Sequence, residues 1–353
     1  MPSRQDSNSP PRLIAYPRLG VAYTECLYAA VAKLGVDVVD GNWSGQWLAS
    51  TVRRNDIIHM HWPSFFYYDS RSRLRTWTNL ARFIALMTLI RRRGVRIVWT
   101  AHNLYPHDGG RTCWSHRAAR KYMTRVAERI FVHGATAAKI FGQEFAGTGA
   151  KLVQIPHGNF IEYYPPPTAR NESRTRLGLP SEGFVYGFVG TCKPYKNLDA
   201  LLETFSRLEG NCSLLIAGHF QSAEYLAHIR DLIARMDGAR VRFEPRFLSH
   251  EEVPLYMSAT DALIVPYTEI LTSGSAMLGL SFGRPIVAPN IGGLPDVIDP
   301  SCGLLYDAHA PDSLMNALVQ IRQRRFEVEK ILGRAREFEW RAAAEPLVDL
   351  LRR

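Results

Sequence analysis

Two short segments of the sequence carry residue types that bind anions. The first, "TSGSAMLGLSFGRPIVAP", starts at Thr272 and reads as an apolar helix followed by a buried strand. Thr272 or Ser273 can cap this helix, and Gly274 and Ser275 then present backbone N–H groups to a ligand. The pattern predicts an anion site at the helix start, with a plain capping role for Ser273 as the alternative.

The second segment, "YGFVGTCKPYKNLDALLETF", predicts a strand, a turn at Gly190 and a helix. Lys193 and Lys196 stand at the entrance to that helix, where outward N–H groups add to their positive charge. We therefore expect these residues to clamp a diphosphate, with ordinary solvent-exposed lysines as the alternative. The GxxxxGK[ST] spacing of a P-loop is absent from the chain.

The elements that must position these residues alternate along the whole chain. Short β-branched runs are separated by longer helical patterns, which is typical of a parallel sheet with helices on both faces. Six strand runs precede the proline-rich segment "YYPPPTARNESRTRLGLP" and six follow it. We therefore predict two Rossmann-like, doubly wound α/β domains, residues 1–165 and residues 166–340. The predicted strands are "RLIAYP", "VDVVDG", "DIIHMHW", "VRIVWTAH", "RIFVHG", "KLVQIPHG", "FVYGFVG", "CSLLIAGH", "VRFEP", "ALIVPY", "RPIVAP" and "GLLYD".

Domains of this kind place their ligand-binding loops at the carboxyl ends of the strands, and two of them in tandem are expected to face a shared cleft. Any α/β protein has polar residues at its strand ends, so each one is either a ligand contact or an ordinary loop residue. Many polar residues fall at such ends here: His59 and His61, His102 and Asn103, His157, residues 190–196, Gly218 and His219, and residues 269–275.

The charge is unevenly distributed. Residues 1–165 hold 22 basic and 10 acidic side chains, a net charge of +12, whereas the rest of the chain is close to neutral. Such asymmetry is typical of a surface that meets polyanions, either anionic lipid or nucleic acid. We expect no nucleic-acid partner, because no helix-turn-helix, zinc or RNP-like motif is present and the diphosphate turn lies in the non-basic half.

Cysteine usage and hydropathy restrict the class of protein further. The five cysteines are widely separated and form no CxxC pair, so we expect neither disulfides nor a zinc site, and a reducing cytoplasm fits best. No segment supplies the roughly 18 uninterrupted apolar residues that a membrane-spanning helix needs. We expect no metal and no cofactor, since no cluster of possible ligands has useful spacing.

The order of these motifs resembles a known family. "FVGTCKPYKN", "LLIAGH", "FLSHEEVPLYMSATDALIVPY", "TSGSAMLGLSFGRPIVAP" and "GGLPDVI" look like the nucleotide-binding domain of GT-B glycosyltransferases, particularly family 4 relatives. With "DIIHMHWPSFF" and "VWTAHNLYPHD", the chain looks most like the bacterial family 94 enzymes of xanthan-type exopolysaccharide assembly. These transfer β-mannose from GDP-mannose to a polyprenyl-diphosphate-linked oligosaccharide. The resemblance covers about residues 13–345.

The resemblance implies a GT-B fold, a nucleotide-sugar donor and a lipid-linked glycan acceptor. It also implies that residues 341–353 return to the first domain, and that the segment Arg246, Phe247 and Leu248 contacts the nucleobase through its backbone. We expect a cytoplasmic protein bound peripherally to the inner face of the bacterial membrane. The alternatives are a retaining family 4-type hexosyltransferase that uses a UDP- or GDP-sugar and a non-catalytic relative that only binds nucleotide sugars.

Two departures from the family 4 pattern favour an inverting reaction. Family 4 enzymes carry two glutamates eight residues apart, and alignment on Gly283 puts Ile270 and Leu278 at those positions. Glu269, one place earlier, is then expected to contact the donor sugar or ribose. The arginine that often follows the glycine of the phosphate turn is replaced by Thr191, which leaves the lysines to neutralise the diphosphate.

An inverting transfer needs one general base for the acceptor hydroxyl, and the segment "AHNLYPHDGG" offers three candidates. We expect Asp108 to be the base, His107 to orient it, and His102 to contact the donor sugar or phosphate. The alternative is that Asp108 simply caps the next helix.

The acceptor and the membrane are expected at basic and aromatic segments of the first half. Residues 70–96 combine arginines with apolar positions at near-helical spacing, which suits a helix on an anionic membrane. The alternative is a packing helix with a solvated arginine face, and residues 117–129 form a second basic run. The residues assigned to acceptor or membrane are His61, Trp62, Phe65, Phe66, Arg73, Trp77, Arg91 and Arg92.

Overall fold

A computed structural model describes residues 10–107, 110–236 and 240–352 and divides the chain into two compact units. The first unit comprises residues 1–158 and 339–353, and the second comprises residues 159–338. The predicted division at residue 165 lies a few residues further along the chain. The C-terminal return begins at Glu339, just before the predicted residue 341.

The first unit is a six-stranded parallel sheet in the order β2-β1-β3-β4-β5-β6. Its chain order reverses between β1 and β3, and such a switch point opens a crevice at the carboxyl edge of the sheet. The strands are β1 (Leu13–Tyr16), β2 (Val38–Asp40), β3 (Ile57–Met60), β4 (Arg96–Thr100), β5 (Arg129–His133) and β6 (Leu152–Ile155). The helices are α1 (Ala22–Lys33), α2 (Gly45–Thr51), α3 (Arg73–Arg92), α4 (Trp114–Val126) and α5 (Ala135–Glu144), joined by the C-terminal helix α14 (Trp340–Leu351).

The second unit is a parallel sheet in the order β12-β11-β10-β7-β8-β9, with its switch point between β7 and β10. The strands are β7 (Phe184–Val189), β8 (Cys212–Ala217), β9 (Val241–Glu244), β10 (Ala262–Ile264), β11 (Ile286–Pro289) and β12 (Gly303–Tyr306). The helices are α6 (Arg170–Leu177), α7 (Leu198–Ser206), α8 (Ala223–Ala234), α9 (Val253–Ala259), α10 (Gly274–Ser281), α11 (Leu294–Val297), α12 (Ser313–Gln323) and α13 (Val328–Arg336). Each of the twelve predicted strand runs contains one of the twelve strands, and the predicted fold class is confirmed.

Helix α14 belongs to the core of the first unit. Its buried face, which includes Leu347, Val348 and Leu351, packs with Leu27 and Val31 of α1. Arg96 at the start of β4 donates a hydrogen bond to the carbonyl oxygen of Leu350, 2.5 Å away. The C-terminal helix therefore helps to hold the sheet whose carboxyl edge carries the conspicuous histidines.

A buried ion pair fixes the beginning of β7 in the second unit. The guanidinium group of Arg174 is fully buried and donates to the Asp261 carboxylate over 2.5 Å, and the same carboxylate accepts the backbone N–H of Val185 over 2.7 Å. Because Asp261 directly precedes β10, this interaction links the two strands that flank the switch point. It therefore sets the spacing between the two segments predicted to bind an anion.

Candidate active site

The two predicted anion-binding segments meet at the switch point of the second sheet. Gly190 follows β7 with φ of 137°, which favours glycine. A Cβ atom on Gly190 would lie 3.1 Å from Ser275 Oγ and 3.5 Å from Lys196 Nζ. A Cβ atom on Gly218, after β8, would overlap the Gly190 carbonyl oxygen. The two glycines therefore allow the turn at Gly190, the start of α10 and Lys196 to lie close together.

Helix α10 begins as predicted at its polar residues. Ser273 is its N-cap, and its side chain accepts a hydrogen bond from the Ala276 N–H over 3.1 Å. Gly274 and Ser275 occupy the first turn, where backbone N–H groups have no carbonyl partner within the helix. Capping and anion binding are compatible here, because the cap serves one N–H group and leaves the helix start open to negative charge.

Lys196 is buried at this helix start instead of being exposed to solvent. Its side chain is 8% exposed, and its Nζ lies 4.9 Å from the centroid of the Tyr267 ring. Burial lowers its pKa, and within the described part of the chain no carboxylate pairs with it. Lys193 lies half-buried in front of the short 3₁₀ turn Pro194–Lys196. A buried ammonium group without a carboxylate beside a helix start indicates a site for an anionic ligand.

The remaining residues predicted to bind the nucleotide sugar lie between β10 and α10 and after β9. Glu269 is exposed and Thr272 is half-buried in the segment that leads from β10 to α10. Arg246 follows β9, and its guanidinium group forms an ion pair with Glu252 over 2.7 Å. Its charged group is therefore engaged within the unit, whereas Phe247 is 77% exposed and Leu248 is buried.

The first unit gathers histidines at the carboxyl ends of four adjacent strands. His59 lies in β3 and His61 just after it, His102 follows β4, His133 ends β5, and His157 follows β6. All five side chains are at least 93% buried. The sequence analysis noted four of them, but it missed His133, although "VHG" repeats the strand-end pattern seen in "TAH" and "PHG".

Burial keeps these histidines neutral. It lowers the pKa of His59 and His133 to about 3 and that of His157 to about 4. The pKa values of His61 and His102 are also lowered well below the usual value, first by burial and then by neighbouring histidines. At neutral pH the cluster is therefore a set of uncharged donors and acceptors.

Three of the histidines are joined by hydrogen bonds through a tyrosine of α1. The Tyr28 hydroxyl lies 3.0 Å from His59 Nδ1 and 2.7 Å from His61 Nε2. His61 Nδ1 lies 3.0 Å from His102 Nε2, and His59 Nε2 lies 2.8 Å from Thr100 Oγ1. This corrects the prediction that His61 contacts the acceptor, because both of its ring nitrogens are bound within the unit.

His102 is the member of the cluster that belongs to the same sequence segment as the predicted base. Its ring stacks on Trp62, with centroids 4.5 Å apart and planes 16° apart, and its side chain is 7% exposed. Behind the loop, buried Arg120 donates to the Leu104 carbonyl oxygen over 2.9 Å, while its Nη1 has no partner among the described residues. The buried guanidinium also lowers the pKa of His102, although burial is the larger cause.

The loop itself is only partly described. His107 is half-buried in a turn, and Asp108 lies outside the described residues. Helix α4 begins at Trp114 with Cys113 in the N-cap position, so its N-cap is not Asp108. The assignment of Asp108 as the general base stays a prediction.

The aromatic segment after β3 points in two directions. Phe65 is 68% exposed, whereas Phe66 packs inward against Trp43, with ring centroids 4.7 Å apart. Of the residues predicted to meet the acceptor, Trp62 and Phe65 thus form the accessible part, with ring centroids 5.7 Å apart. Phe66 is half-buried, and its assignment to acceptor binding stays a prediction.

Helix α3 has features of both alternatives left open by the sequence, a packing helix and a helix that lies on a membrane. One face, which includes Leu80, Phe83 and Met87, is buried in the unit. Leu74 and Trp77 of the same helix are exposed, and the Trp77 ring stacks on the exposed Trp114 at a centroid distance of 3.5 Å. Three predicted arginines of this helix are also exposed: Arg73, Arg91 and Arg92.

Comparisons with known proteins agree with this architecture. Residues 183–324 match the family model described as "Glycosyl transferases group 1". The GDP-mannose:glycolipid 4-beta-D-mannosyltransferase of Xanthomonas campestris pv. campestris is 25% identical over 276 residues, which cover 76% of this chain and 72% of that protein. The D-inositol 3-phosphate glycosyltransferase of Corynebacterium diphtheriae is 32% identical over 208 residues, covering 55% of this chain and 48% of that protein.

Solved structures share the fold at low sequence identity. Sucrose-phosphate synthase from Thermosynechococcus elongatus matches with a TM-score of 0.77 and 16% identity, covering 98% of each chain. HepE from Anabaena, in complex with UDP and glucose, matches with a TM-score of 0.71 and 16% identity, covering 98% of this chain and all of that one.

Two doubly wound units of this kind define the GT-B fold, and the protein is a glycosyltransferase. Residues 183–324, which contain the turn at Gly190 and α10, are the part of the chain that matches the glycosyltransferase group 1 model. Among the described helices, none is long and apolar enough to cross a bilayer. Within the described ranges, no group of three or more His, Cys, Asp or Glu side chains is arranged to hold a metal ion.

Acid should destabilise the folded protein at pH values well above those at which carboxylates are usually protonated. The histidine pKa values are lowered by folding, so between about pH 6.5 and 4 the unfolded chain binds protons that the folded chain rejects. Stability therefore falls as the pH falls, by up to about 1.4 kcal/mol per pH unit for each buried histidine. Urea unfolding between pH 7.5 and 5.5 measures the slope.

The matched control for this experiment removes an exposed histidine. His309→Gln should leave the slope unchanged, whereas His133→Gln should reduce it by the contribution of one proton. A stability that stays constant from pH 7.5 to 5.5 would contradict a buried, neutral cluster.

Lys196→Met should weaken binding of a nucleoside diphosphate by about 10- to 100-fold, because it removes one charged hydrogen-bond donor from the helix start. Isothermal titration with GDP and UDP measures the effect. Lys330→Met, which removes an exposed lysine paired with Glu327, is the control and should leave the affinity unchanged. Equal affinity in wild type and the folded Lys196→Met variant would exclude Lys196 from the site.

Proposed function

We propose that this glycosyltransferase transfers mannose from GDP-mannose, with inversion to a β-linkage, to a polyprenyl-diphosphate-linked oligosaccharide in exopolysaccharide assembly. The observation that carries this proposal is the match to the Xanthomonas enzyme named GDP-mannose:glycolipid 4-beta-D-mannosyltransferase. The match spans 276 residues, more than either unit contains, so it includes sequence from both. Acceptor-side sequence is therefore part of the similarity.

The donor diphosphate binds at the switch point of the second unit. The backbone N–H groups of Gly274 and Ser275, together with Lys193 and Lys196, stabilise the negative charge that grows on the departing diphosphate. Positive charge from the protein stabilises the departing diphosphate, and no step is assigned to a metal. The positions of the two family 4 glutamates hold Ile270 and Leu278, and Glu269 serves as a contact to the sugar or ribose.

The nucleobase lies toward β9. In the sheet, β9 is two strands away from β7, which is about 10 Å at the usual strand spacing. That distance suits a ribose between a diphosphate at Gly190 and a base near residues 246–248. Because the Arg246 side chain is engaged by Glu252, recognition there uses the backbone and the exposed Phe247.

The first unit supplies the acceptor-side chemistry. Asp108 removes the proton from the acceptor hydroxyl as that oxygen attacks the anomeric carbon, and His107 orients the carboxylate. His102, held neutral by its buried surroundings, donates a hydrogen bond to the donor sugar or phosphate. Trp62 and Phe65 offer aromatic surface to the acceptor.

The acceptor lipid holds the protein at an anionic membrane on the cytoplasmic side. Leu74, Trp77 and Trp114 expose apolar surface on α3 and α4, and aromatic rings of this kind favour the membrane interface. The exposed arginines Arg73, Arg91 and Arg92 add attraction to acidic headgroups.

A retaining hexosyl transfer is the second candidate. The chain is also 32% identical over 208 residues to a D-inositol 3-phosphate glycosyltransferase, so a transfer other than that of the Xanthomonas enzyme is tested beside it. Against a retaining transfer stand Ile270 and Leu278, which cannot replace the paired glutamates of family 4. A protein that binds nucleotide sugars without turnover is the remaining alternative.

Transfer from labelled GDP-mannose to a lipid-linked oligosaccharide in liposomes tests the proposal. The wild type should form a mannosylated lipid, and UDP-glucose should give little product. Asp108→Asn should lower turnover by about 100-fold or more while the protein stays folded, because the base is lost. Asp37→Asn, which alters an exposed carboxylate of the same unit, is the control and should keep normal turnover.

Three outcomes of that assay would contradict the account. No transfer and no hydrolysis with several nucleotide sugars would favour the non-catalytic alternative. Near-normal turnover of Asp108→Asn would remove Asp108 as the base. Equal rates on zwitterionic and anionic vesicles, for both the wild type and Trp77→Ser, would argue against the membrane surface.

A further inference from the structure

An unbroken chain of hydrogen bonds leads from the interior of the first unit to His102. It runs from Thr100 through His59, Tyr28 and His61, with successive donor–acceptor distances of 2.8, 3.0, 2.7 and 3.0 Å. The first four side chains are at most 2% exposed, and His102 is 7% exposed. Bulk water therefore does not compete for these bonds, and each group must be satisfied by its neighbours.

The chain has only two self-consistent arrangements. A neutral imidazole carries one N–H and one acceptor nitrogen, and a tyrosine hydroxyl has one proton to donate. If Tyr28 donates to His61 Nε2, then His61 Nδ1–H donates to His102 Nε2, and the proton of His102 lies on Nδ1. If Tyr28 donates to His59, every bond reverses and His102 Nδ1 becomes a bare acceptor. Both arrangements contain the same five protons.

Thr100 decides between the two arrangements. Its side chain is fully buried, and its Oγ1 bonds to His59 Nε2 and interacts with the Tyr23 hydroxyl, which has no other hydrogen-bond partner among the described residues. If His59 donated to it, the Thr100 proton would have to go to Tyr23, and the buried Tyr23 proton would then be left without an acceptor, which is costly. Thr100 therefore donates, and the directions of the remaining bonds follow one from another.

We propose that Thr100 and Tyr28 act as positioning residues that place the proton of His102 on Nδ1, so that a neutral His102 is a fixed hydrogen-bond donor. Stacking on Trp62 holds the ring plane, so the ring does not turn over to exchange its nitrogens. Arg120 and the neighbouring rings of His61, His133 and His157 oppose a positive charge on His102. His102 must then donate a hydrogen bond through the N–H of its neutral tautomer and not as a protonated imidazolium.

Beyond Nε2, His102 has one further ring nitrogen, and the described residues provide no partner for Nδ1. A fixed N–H at this position suits an oxygen of a phosphate or a sugar hydroxyl. This use rests on the proposed function, whereas the tautomer itself does not.

The test is nitrogen-15 NMR of histidine side chains in the full-length protein. Chemical shifts of the ring nitrogens show which one is protonated. In the wild type His102 should be protonated at Nδ1 alone. In Tyr28→Phe and in Thr100→Val, which act two and four hydrogen bonds away from His102, both tautomers of His102 should be populated.

Tyr67→Phe is the matched control. It also removes a buried tyrosine–histidine hydrogen bond, 2.9 Å between the Tyr67 hydroxyl and His116 Nδ1, but this bond lies outside the chain. His102 should keep its wild-type tautomer in that variant. Thr100→Val is nearly isosteric and provides the test if Tyr28→Phe fails to fold.

A kinetic readout separates positioning from a merely structural role. Tyr28→Phe should lower kcat for mannosyl transfer in proportion to the fraction of His102 that loses its Nδ1 proton, about 2-fold for equal populations, with little change in KM. A wild-type His102 protonated at Nε2, or a tautomer unchanged in Tyr28→Phe and Thr100→Val, would overturn the proposal. That NMR result stands whether or not mannose is the sugar transferred.

Discussion

Five imidazole rings must remain uncharged inside the first unit, and much of its structure serves that requirement. Tyr23 of α1 lies at the centre of the cluster and meets the rings of His61, His102, His133 and His157 edge to face, at centroid distances of 4.7–5.6 Å. Trp340, the first residue of α14, packs on Tyr23 at 5.1 Å. A Cβ atom on Gly158 would overlap this indole, so glycine is needed for the close approach. The C-terminal helix thereby closes the cluster against water.

The second unit meets an opposite electrostatic requirement. Its switch point concentrates positive character through the start of α10 and the buried Lys196, and the described residues of α10 include no carboxylate. Burial raises the cost of that lysine charge, and an anionic ligand removes the cost. A positive edge of this kind suits an enzyme that must stabilise a departing diphosphate.

Much of the fold was predictable because backbone geometry fixes the spacing of apolar residues in strands and helices, and that spacing is visible in the sequence. Parallel strands buried on both faces leave continuous apolar runs, and all twelve were recognised. The start of α10 was also readable, since Ser273 and Gly274 have strong positional preferences. The boundary between units was placed only approximately, because the segment with three prolines could equally end a domain or, as observed, lead into α6 within the second one.

The side-chain network was not predictable in the same way. Tyr28 lies in the apolar pattern of α1, and nothing in that pattern shows that its hydroxyl bridges two histidines of β3 and the following loop. Thr100 reads as an ordinary strand residue, and the burial of Lys196 contradicts the usual preference of lysine for solvent. His61 was assigned to the acceptor from its neighbours in sequence, although its side chain is buried. These outcomes depend on rotamers and on contacts between distant segments.

The anomeric configuration of the product tests the account most directly. We propose inversion at the donor carbon from the absence of the paired glutamates, from the general base expected in the first unit and from the similarity to a protein named as a 4-beta-D-mannosyltransferase. Purified mannosylated lipid, or the glycan released from it, can be analysed by the one-bond carbon–proton coupling of its new anomeric centre. The account predicts a β-linked mannose from the α-configured donor. An α-linked product would show retention and would contradict it.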